Sequence, residues 1–421
     1  FLYGFQRSFP GANGGSPAIF FSGSSAVLGP LLEGHSKKSY YRPIAFRTHF
    51  DFDLFSLFLR KGIRALSAEE ELCVPEKLGE SPPPGRLLEM KYLGINLSCI
   101  VQNKINYLTQ TVYPRLSAKL ESMRRLLSSH RIRSVIVDED VTQFNKLVVM
   151  AAESLGLKSA VCQHGLLGDR VGYTPVRASY FLAWGDESAE RMEKWGVSRD
   201  KIRVLGAPRY DALIRQVTAA PAPGESGTPT VLLVLTKTKA SHLPGRSTTD
   251  HFTMEYHRWM LASVAAAMKR VHCRLWIKTH PGERRVEALE AVCREFFTGQ
   301  EWRFLKNTAR ASDFMKECRL VMGCESGAMI EALIWGAPTI CIDYSGKPFV
   351  YDLVEKEASL PACHPDGLAA VMETALSQSY REEFYGKRRK ILEHYFSNQG
   401  SAAKKTAQFI GTMLGGGTRV Q

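Results

Sequence analysis

Residues 320–343 place the tightest constraint on the fold of this chain. The segment reads Leu-Val-Met-Gly-Cys-Glu-Ser-Gly-Ala-Met-Ile-Glu-Ala-Leu-Ile-Trp-Gly-Ala-Pro-Thr-Ile-Cys-Ile-Asp. Apolar runs at both ends predict buried strands, and the middle has the spacing of an amphipathic helix that a Gly-Ala-Pro sequence ends. The segment therefore predicts a β-α-β unit within a parallel sheet.

The turn between the first strand and the helix predicts a phosphate site. Ser326, Gly327 and Ala328 fall where the helix begins, so their N–H groups lack intrahelical acceptors and the positive end of the helix dipole faces outward. Glu331 follows about one turn later, on a face that reaches a sugar hydroxyl beside the phosphate. An ordinary β-α-β unit with a surface glutamate is the alternative interpretation.

A chain of 421 residues exceeds a typical single core, which predicts two domains. Short apolar strands alternate with helical segments, as in parallel α/β folds, and a long helical stretch is expected from about Leu87 to His130 after a less regular region. Residues 216–229 are rich in Pro, Gly, Ala and Thr, the composition of a linker. We therefore predict domains at 1–215 and 230–380, followed by helices over 381–414.

Four polar clusters stand directly after predicted strands, and they come from both halves of the chain. They are Asp138–Asp140, His164–Gly165, His280–Pro281 and Glu325–Gly327. In open α/β sheets, ligands bind outside the carboxyl ends of the strands. The pattern therefore predicts a binding cleft between two domains.

The formal net charge of +13 indicates an anionic partner or surface. The sequence has no zinc finger, no RNA-recognition aromatic pattern and no continuous basic tract, so we expect no nucleic-acid partner. An anionic membrane surface fits better. The aromatic segment Phe50–Lys61 ends in positive charge, as interfacial docking segments do, and a core-facing segment of the first domain is the alternative.

Nine cysteines without a Cys-x-x-Cys pair argue against a disulfide framework and against a structural zinc site. We therefore expect a reducing, cytoplasmic location, peripheral at the inner membrane face. The sequence contains no uninterrupted apolar run of about 18 residues that would predict a membrane-spanning helix. Since Phe1 is not an initiator methionine, a native start upstream stays open.

The motifs together resemble the GT-B glycosyltransferase superfamily. Within this superfamily they are most similar to CDP-glycerol glycerophosphotransferases and to bacterial capsule transferases for Kdo or sialic acid. The likeness covers roughly Arg133 to Ile410. Two departures are an Asp-Glu-Asp triplet whose third residue is not glycine, and Glu-Ser-Gly where glycerophosphotransferases tend to have an Asp-Tyr-Ser-Ser run. The matching segments are His164–Gly165, Trp184–Gly185, Gly206–Asp211, Lys278–Pro281, Glu325–Ala328, Glu331–Ala332, Gly336–Pro338 and Tyr395–Lys404.

The resemblance implies an α/β fold of two Rossmann-like domains that face each other across a cleft, with a C-terminal helix that crosses back to the first domain. It implies a metal-independent glycosyltransferase without a cofactor, because basic groups and helix dipoles replace the metal in such enzymes. The donor would be a CMP-, CDP- or UDP-linked sugar or sugar-like unit. The acceptor would be a surface glycan or a lipid-linked glycan.

Glycosyl transfer needs a base that deprotonates the acceptor hydroxyl. His164 is the first candidate, because an imidazole at a strand end titrates near neutral pH. It could equally contact phosphate, and a structural histidine in a turn is the alternative. The carboxylates of Asp138, Glu139 and Asp140 are the second candidates, although one of them could cap the helix expected near Thr142.

The donor side needs groups that stabilise the leaving phosphate. The resemblance assigns His280 to this phosphate, while Lys278 aids charge neutralisation or lies on an ordinary sheet surface. Arg209 is expected to contact an anionic acceptor or a donor carboxylate, with an interdomain ion pair as the alternative. The predicted donor or phosphate positions are Lys278, His280, Pro281, Glu325, Ser326, Gly327, Ala328 and Glu331, and the predicted acceptor or donor contacts are Gly165 and Arg209.

Two other functions stay open at this stage. A non-hydrolysing nucleotide-sugar 2-epimerase shares the fold and the His-Pro and Ser-Gly turns, and it would use acidic residues for elimination without needing an acceptor. A non-catalytic binding protein would retain a degenerate cleft. The clustered polar strand ends favour an enzyme.

Overall fold

A computed structural model describes most of the chain. The described residues are 17–33, 42–47, 52–61, 63–67, 90–218, 227–239, 252–306 and 310–414. They form two lobes, each built on a parallel β-sheet.

The first lobe contains a seven-stranded sheet in the order β3-β2-β1-β6-β7-β8-β9. All of its strand pairs are parallel. A separate two-stranded antiparallel hairpin, β4-β5, lies outside this sheet. The strands are β1 (Ala18–Ser22), β2 (Arg42–Arg47), β3 (Arg64–Ser67), β4 (Lys91–Tyr92), β5 (Ile95–Asn96), β6 (Ile132–Val137), β7 (Lys158–Cys162), β8 (Tyr180–Ala183) and β9 (Ile202–Val204).

The second lobe contains a six-stranded parallel sheet in the order β12-β11-β10-β13-β14-β15. In both sheets the strand order reverses beside the first strand of the lobe, which is where α/β sheets bind ligands. The strands are β10 (Thr230–Val234), β11 (Arg274–Lys278), β12 (Trp302–Leu305), β13 (Leu320–Gly323), β14 (Thr339–Ile342) and β15 (Leu360–Ala362).

Helices connect the strands and cover both faces of each sheet. The first-lobe helices are Ser25–Glu33, Phe52–Lys61, Ser98–Tyr107, Tyr113–Ser129, Gln143–Ser154, Asp186–Lys194 and Asp211–Thr218. The helices that follow are Met254–Met268, Val286–Phe296, Ser312–Met315, Gly327–Trp335, Leu368–Leu376, Gln378–Tyr395 and Ala402–Met413.

Alternating side chains of the central strands fill two core layers in each lobe. Val135 and Val137 of β6 pack on one face of the first sheet, while Ile136 packs on the other. In the second sheet, Leu233 faces one layer and Leu232 the opposite layer. A parallel sheet buried on both faces needs such continuous apolar strands, and this explains why the central strands were visible in the sequence.

The chain returns to the first lobe after helix Gln378–Tyr395, and two glycines make room for it. A Cβ atom on Gly185 would lie 2.4 Å from the carbonyl oxygen of Tyr395, and one on Gly206 would lie 2.2 Å from that of Ser397. The backbone N–H of Ser397 donates to the carbonyl of Trp184 at 2.9 Å. The glycines of the motifs Trp184–Gly185 and Gly206–Pro208 therefore allow the returning chain to pack directly on the first lobe.

The last helix, Ala402–Met413, docks on the first lobe. The N–H groups of Ala402 and Ala403 donate to the carboxylate of Asp211 at 3.0 and 2.8 Å, an N-terminal cap from the first lobe. Ile410 is fully buried in a first-lobe core layer. The predicted GT-B class, with two Rossmann-like lobes and a C-terminal helix that crosses back, is confirmed.

Several local predictions were incomplete. Strands β2, β3 and β15 were not expected. β3 and β15 are short, with four and three residues, and β2 and β15 carry a proline, Pro43 and Pro361. The long helical stretch begins at Ser98 and contains a π-helical turn over Leu108–Val112. Helix Asp211–Thr218 extends into the predicted linker, whose residues 219–226 lie outside the described part.

The aromatic segment Phe50–Lys61 forms a helix from Phe52. Leu57 and Phe58 are 3% and 4% exposed and pack in a first-lobe core layer with Phe21. The core-facing interpretation therefore holds for the described side chains of this helix. Phe50 and Asp51 lie outside the described residues.

Candidate functional site

A cleft of about 1240 Å³ lies between the lobes and is lined by the carboxyl ends of strands from both sheets. Helices at the strand ends complete the lining, among them Ser25–Glu33 of the first lobe and Gly327–Trp335 of the second. Nine of the predicted site positions line this cleft: Gly165, Arg209, Lys278, His280, Pro281, Ser326, Gly327, Ala328 and Glu331.

The turn after β13 presents a helix N-terminus to the cleft. Gly323 has φ +156°, and a Cβ atom there would lie 2.2 Å from the carbonyl oxygen of Val234, so glycine is required for the close approach of the strands. Ser326 is the extended residue before the helix. The N–H of Met329 donates back to the Ser326 carbonyl at 3.0 Å. Ser326, Gly327 and Ala328 line the cleft at the start of the helix, a position that suits an anion.

Lys278 is a buried cation at the end of β11. Its side chain is 1% exposed, and Nζ donates to the carbonyl of Thr279 at 2.6 Å. No carboxylate of the described residues forms an ion pair with this ammonium, and burial lowers the pKa of Lys278. A buried charge without a counter-charge is unfavourable. An anion in the cleft would supply the missing counter-charge.

His280 lines the cleft two residues after Lys278, and its Nδ1 accepts a hydrogen bond from the N–H of Gly282 at 2.9 Å. Because an amide N–H can only donate, Nδ1 carries no proton and the proton resides on Nε2. Burial lowers the pKa of His280, and Lys237 lowers it further. The imidazole is therefore neutral at pH 7 and offers an Nε2–H donor.

Glu331 lines the cleft on the helix that begins at Gly327. Burial raises the pKa of Glu331, and the positive charges of Arg209 and Arg310 oppose that rise. Both arginines also line the cleft. A carboxylate of the second lobe and a guanidinium of the first lobe therefore face the same space, and both are positioned for polar groups of a ligand.

His164 follows β7, and its Nδ1 lies 3.1 Å from the backbone oxygen of Asp138. Since a carbonyl can only accept, Nδ1 carries the proton, and Nε2 of the neutral ring keeps its lone pair. The ring stacks on Tyr173 with centroids 4.7 Å apart, and Arg209 donates to the His164 carbonyl at 2.9 Å. His164 is absent from the cleft lining, whereas Gly165, Tyr173 and Arg209 belong to it.

Asp138 ties the strand end of β6 to the helix that follows β1. Its carboxylate accepts from the N–H of Ser24 at 2.8 Å and from the amide of Asn145 at 3.1 Å. A Cβ atom on Gly23 would lie 2.4 Å from the Asp138 side chain. The carboxylate is thus enclosed by the backbone of the first lobe.

Glu139 and Asp140 also bond to backbone amides. Glu139 accepts from the N–H groups of Val141 and Thr142, both at 2.8 Å, at the start of helix Gln143–Ser154. Burial alone would raise the pKa of Glu139, but these hydrogen bonds outweigh burial and lower it. Asp140 accepts from the N–H of Arg177 at 2.8 Å, and burial raises its pKa.

The acidic triplet therefore has structural partners, and none of the three carboxylates lines the cleft. Glu139 bonds to N–H groups just before helix Gln143–Ser154, but no side chain caps the first turn of that helix. The role of the triplet as a second base stays a prediction that the geometry does not favour. The partners of Asp138 and Asp140 could not be predicted from local pattern, because Ser24 and Arg177 are distant along the chain.

Glu325 lies beside the cleft and holds the loop that follows β14. Its carboxylate accepts from the N–H groups of Val350 and Tyr351, the latter at 2.9 Å. Burial raises the pKa of Glu325 to about 7. Tyr351 in turn lines the cleft, so Glu325 positions a wall residue of the site.

Sequence reasoning missed many residues of the cleft, and four of them bear on ligand binding. Thr279 is 1% exposed, and its hydroxyl has no hydrogen-bond partner among the described residues. The buried indole N–H of Trp335 also has no hydrogen-bond partner among them. Tyr173 and Arg310 complete the set. Tyr173 and Arg310 lie in loops without a recognisable motif, and Trp335 has the spacing of an ordinary core residue of its helix.

Two searches of the described residues bear on the predicted chemistry. No group of three or more His, Cys, Asp or Glu side chains is placed to hold a metal ion. No helix in the described part is long and apolar enough to cross a membrane. Metal independence and membrane association stay predictions.

Solved structures with the same fold cover nearly the whole chain. The Staphylococcus aureus MnaA–UDP structure matches with a TM-score of 0.59 and 13% identity over 95% of this chain and 97% of that one. The Methanocaldococcus jannaschii UDP-GlcNAc 2-epimerase, in complex with UDP-GlcNAc and UDP, matches with a TM-score of 0.56 and 14% identity over 94% of this chain and 99% of that one.

A structure named as a glycosyltransferase, from Rickettsia africae, is also among the neighbours, with a TM-score of 0.53 and 10% identity over 95% of this chain and 99% of that one. MurG of Acinetobacter baumannii matches with a TM-score of 0.54 and 11% identity over 94% of this chain and 99% of that one. No protein-family model and no curated protein sequence matches the chain. At these identities the likeness shows the fold, which is the GT-B fold of nucleotide-sugar enzymes.

Proposed function

We propose that this protein is a metal-independent glycosyltransferase that moves a sugar or sugar-like unit from a nucleotide-activated donor to a surface-glycan or lipid-linked acceptor. The buried ammonium of Lys278 carries the proposal. It lies in the cleft without a carboxylate partner among the described residues. A donor phosphate is the anion that such a site accommodates.

Three kinds of donor group converge on this phosphate. Lys278 supplies a full charge, helix Gly327–Trp335 supplies its first N–H groups, and His280 supplies an Nε2–H. Charge-assisted hydrogen bonds of this kind stabilise the negative charge that develops on a leaving nucleotide. Glu331, further along the helix, is suited to accept from donor hydroxyls.

His164 is the proposed base. Like the acidic triplet it is absent from the cleft lining, but its neighbour Gly165 and its stacking partner Tyr173 line the cleft. The Nδ1–H bond to the Asp138 carbonyl leaves the Nε2 lone pair of the neutral ring available to take a proton. In the proposed step the acceptor oxygen bonds to the anomeric carbon, while the bond from that carbon to the donor phosphate breaks. The acceptor proton passes to His164, and the leaving nucleotide keeps the electron pair.

The size of the cleft supports a reaction of two substrates. Its volume of about 1240 Å³ exceeds the roughly 300–1,000 Å³ typical of a site for one small ligand. Room for an acceptor beside the donor favours transfer. The CDP-glycerol and Kdo or sialic acid branches, the anionic membrane surface and the cytoplasmic location remain parts of this proposal.

A 2-epimerase is the second candidate, because structures so named match 94% of the chain with TM-scores of 0.56 to 0.60. An epimerase would need acidic residues at the sugar carbon. Because backbone amides hold the acidic triplet, that role would fall to a carboxylate of the cleft, such as Glu331.

A thermal-shift screen with CMP, CDP, UDP and GDP tests the common basis of both candidates, since bound nucleotide raises the melting temperature by mass action. We expect one nucleotide to stand out, with the shift unchanged by EDTA. No shift with any nucleotide would contradict the proposal and favour a non-catalytic protein.

Incubation of the matching nucleotide-sugar with and without glycan acceptors separates the two enzyme classes. An acceptor-dependent release of nucleotide, followed by liquid chromatography, supports transfer. Formation of the 2-epimer from the nucleotide-sugar alone would replace transfer by epimerisation.

A further inference from the structure

Exposed apolar side chains are concentrated in one part of the first lobe. The large hydrophobic residues that are exposed in the described chain number ten, and eight of them lie between residues 90 and 113. These eight are Met90, Tyr92, Leu93, Ile95, Ile100, Tyr107, Leu108 and Tyr113, with exposed fractions of 42% to 84%. We call residues 90–113 the hairpin–helix surface.

No residue of the hairpin–helix surface is buried. It consists of the β4-β5 hairpin, helix Ser98–Tyr107 and the π-helical turn Leu108–Val112. Neither the helix nor the turn has a buried residue, although the next helix packs Met123 and Leu127 into the core. The segment therefore projects from the lobe with its apolar side chains in water, which is unusual for surface of this size.

The tip of the hairpin adds a second, independent observation. Leu93 has φ +49° and Gly94 has φ +79°, the backbone of a tight hairpin turn that favours Asn-Gly. A leucine is disfavoured in this conformation, and this one is 84% exposed. Folding alone explains neither the residue nor its exposure, so the apolar tip indicates a partner.

The charge of the same region points to the chemistry of that partner. Residues 90–113 contain Lys91 and Lys104 and no Asp or Glu, and Arg115 and Lys119 follow on the next helix. The ammonium of Lys104 lies 5.3 Å from the ring centre of Tyr107. Aromatic and aliphatic side chains beside lysines are typical of segments that enter the interface of an anionic bilayer.

We propose that the hairpin–helix surface docks the protein on an anionic lipid bilayer, with the Leu93 tip inserted among the headgroups. A second copy of the chain is the less suitable occupant, because two identical basic faces would repel each other. The inference deepens the proposed function, since it depends on an acceptor at a membrane and states which surface meets it. The cleft is left free for nucleotide.

Flotation of the full chain with phosphatidylcholine vesicles, with and without phosphatidylglycerol, tests the docking. We expect the protein to float only with the anionic vesicles. Two variants should lower the bound fraction at least roughly tenfold: Tyr92→Ser with Leu93→Ser and Ile95→Ser, which removes the apolar tip, and Lys91→Glu with Lys104→Glu, which reverses its charge.

Matched controls keep the comparison specific. Lys356→Glu with Lys390→Glu changes the net charge by the same amount at exposed sites elsewhere, and Val171→Ser with Trp259→Ser removes the two other exposed apolar side chains. Both controls should float like the wild type. The hairpin and lysine substitutions lie at exposed positions, so the melting temperatures of those variants should stay unchanged. Trp259→Ser removes ring contacts with Tyr256 and Tyr344 and should lower the melting temperature without changing flotation.

The outcomes separate this inference from the proposed function. Flotation that persists in both hairpin variants would overturn the docking surface, and so would a dimer in light scattering that the hairpin variants dissociate. Nucleotide binding should be the same in every variant. If binding of UDP is intact while flotation fails, the docking surface is wrong and the nucleotide site stands.

Discussion

The charged groups at the carboxyl ends of the two sheets differ in sign and in what neutralises them. In the first lobe the charged groups after β6 are carboxylates, and backbone amides of the lobe itself satisfy them. In the second lobe the charged group after β11 is the Lys278 ammonium, which no described carboxylate neutralises. The carboxylates after β6 are therefore satisfied within the protein, whereas an external anion would complete the surroundings of the Lys278 ammonium.

The two histidines show the same difference in their hydrogen bonds. His164 donates a hydrogen bond from Nδ1–H to a carbonyl, so its Nε2 remains an acceptor. His280 accepts a hydrogen bond at Nδ1, so its Nε2–H remains a donor. The two neutral imidazoles are therefore opposite tautomers, with the proton on Nδ1 in His164 and on Nε2 in His280. An accepting nitrogen suits a base on the acceptor side, and a donating nitrogen suits a phosphate on the donor side.

Substitution of His164 by Asn should have the largest effect. The Asn amide can still donate to the Asp138 carbonyl, but the accepting Nε2 is lost. We expect kcat to fall roughly 10²- to 10⁴-fold with the Kd for UDP unchanged, as measured by steady-state kinetics and calorimetry. A weaker Kd with unchanged kcat would assign His164 to phosphate binding and remove the contrast with His280.

Substitution of Lys278 by Met should weaken UDP binding by roughly ten- to a hundredfold, because a charged hydrogen-bond donor to phosphate is lost. The melting temperature without ligand should stay equal or rise, since an unneutralised buried charge is replaced by an apolar chain of similar shape. Calorimetry and thermal unfolding measure the two quantities.

The matched control is Lys316→Met, which removes an exposed lysine from the rim of the same cleft. This variant should change the UDP affinity far less than Lys278→Met does. Equal losses in the two variants would mean that general charge, and not the buried ammonium, attracts the nucleotide.

Glu139→Ala should act on stability alone. Loss of the hydrogen bonds from the Val141 and Thr142 N–H groups should lower the free energy of unfolding by about 1–2 kcal/mol, seen as a lower melting temperature, with kcat and UDP affinity retained. Glu153→Ala on the same helix is the control, because its exposed ion pair contributes little. A lost kcat with normal melting would restore Glu139 as a base.

Glu325 should give the smallest effect, a pH dependence of stability. Its pKa is about 7 in the folded state against an ordinary 4.5, so the unfolded state releases the proton first as the pH rises. Stability is therefore fully present below about pH 4.5 and is lost as the pH passes 7, by about 1–2 kcal/mol after discounting for partial exposure.

Melting temperatures at pH 5 and pH 8 measure this loss. Glu325→Gln does not titrate and should show a smaller drop between these pH values than the wild type. An equal drop in both proteins would contradict the perturbed pKa of Glu325.

The parts of this architecture that the sequence predicts are those set by local pattern. The β13–helix–β14 unit, the strand ends at His164 and His280 and the returning C-terminal helix all follow from apolar periodicity and glycine punctuation. Strands β2, β3 and β15 do not, since short segments acquire their strand character from neighbours in the sheet.

The roles of the acidic residues were beyond local pattern for a different reason. A carboxylate after a strand looks the same in sequence whether it faces a ligand or a backbone amide. The amides that bind Asp138 and Asp140 belong to Ser24 and Arg177, and only the folded chain brings them together. Burial of Lys278 was likewise invisible, because a lysine at a strand end usually points to water.

The missing side chains of Gly185 and Gly206 have a mechanical consequence. The backbone of Tyr395 and Ser397 rests directly on these two positions, so the lobes are pinned at a contact without compressible side chains. The aromatic rings of Trp184, Tyr210 and Phe396 pack beside this contact. A single methyl group added at position 206 would lie 2.2 Å from the Ser397 carbonyl oxygen, so the returning chain would have to move away from the first lobe.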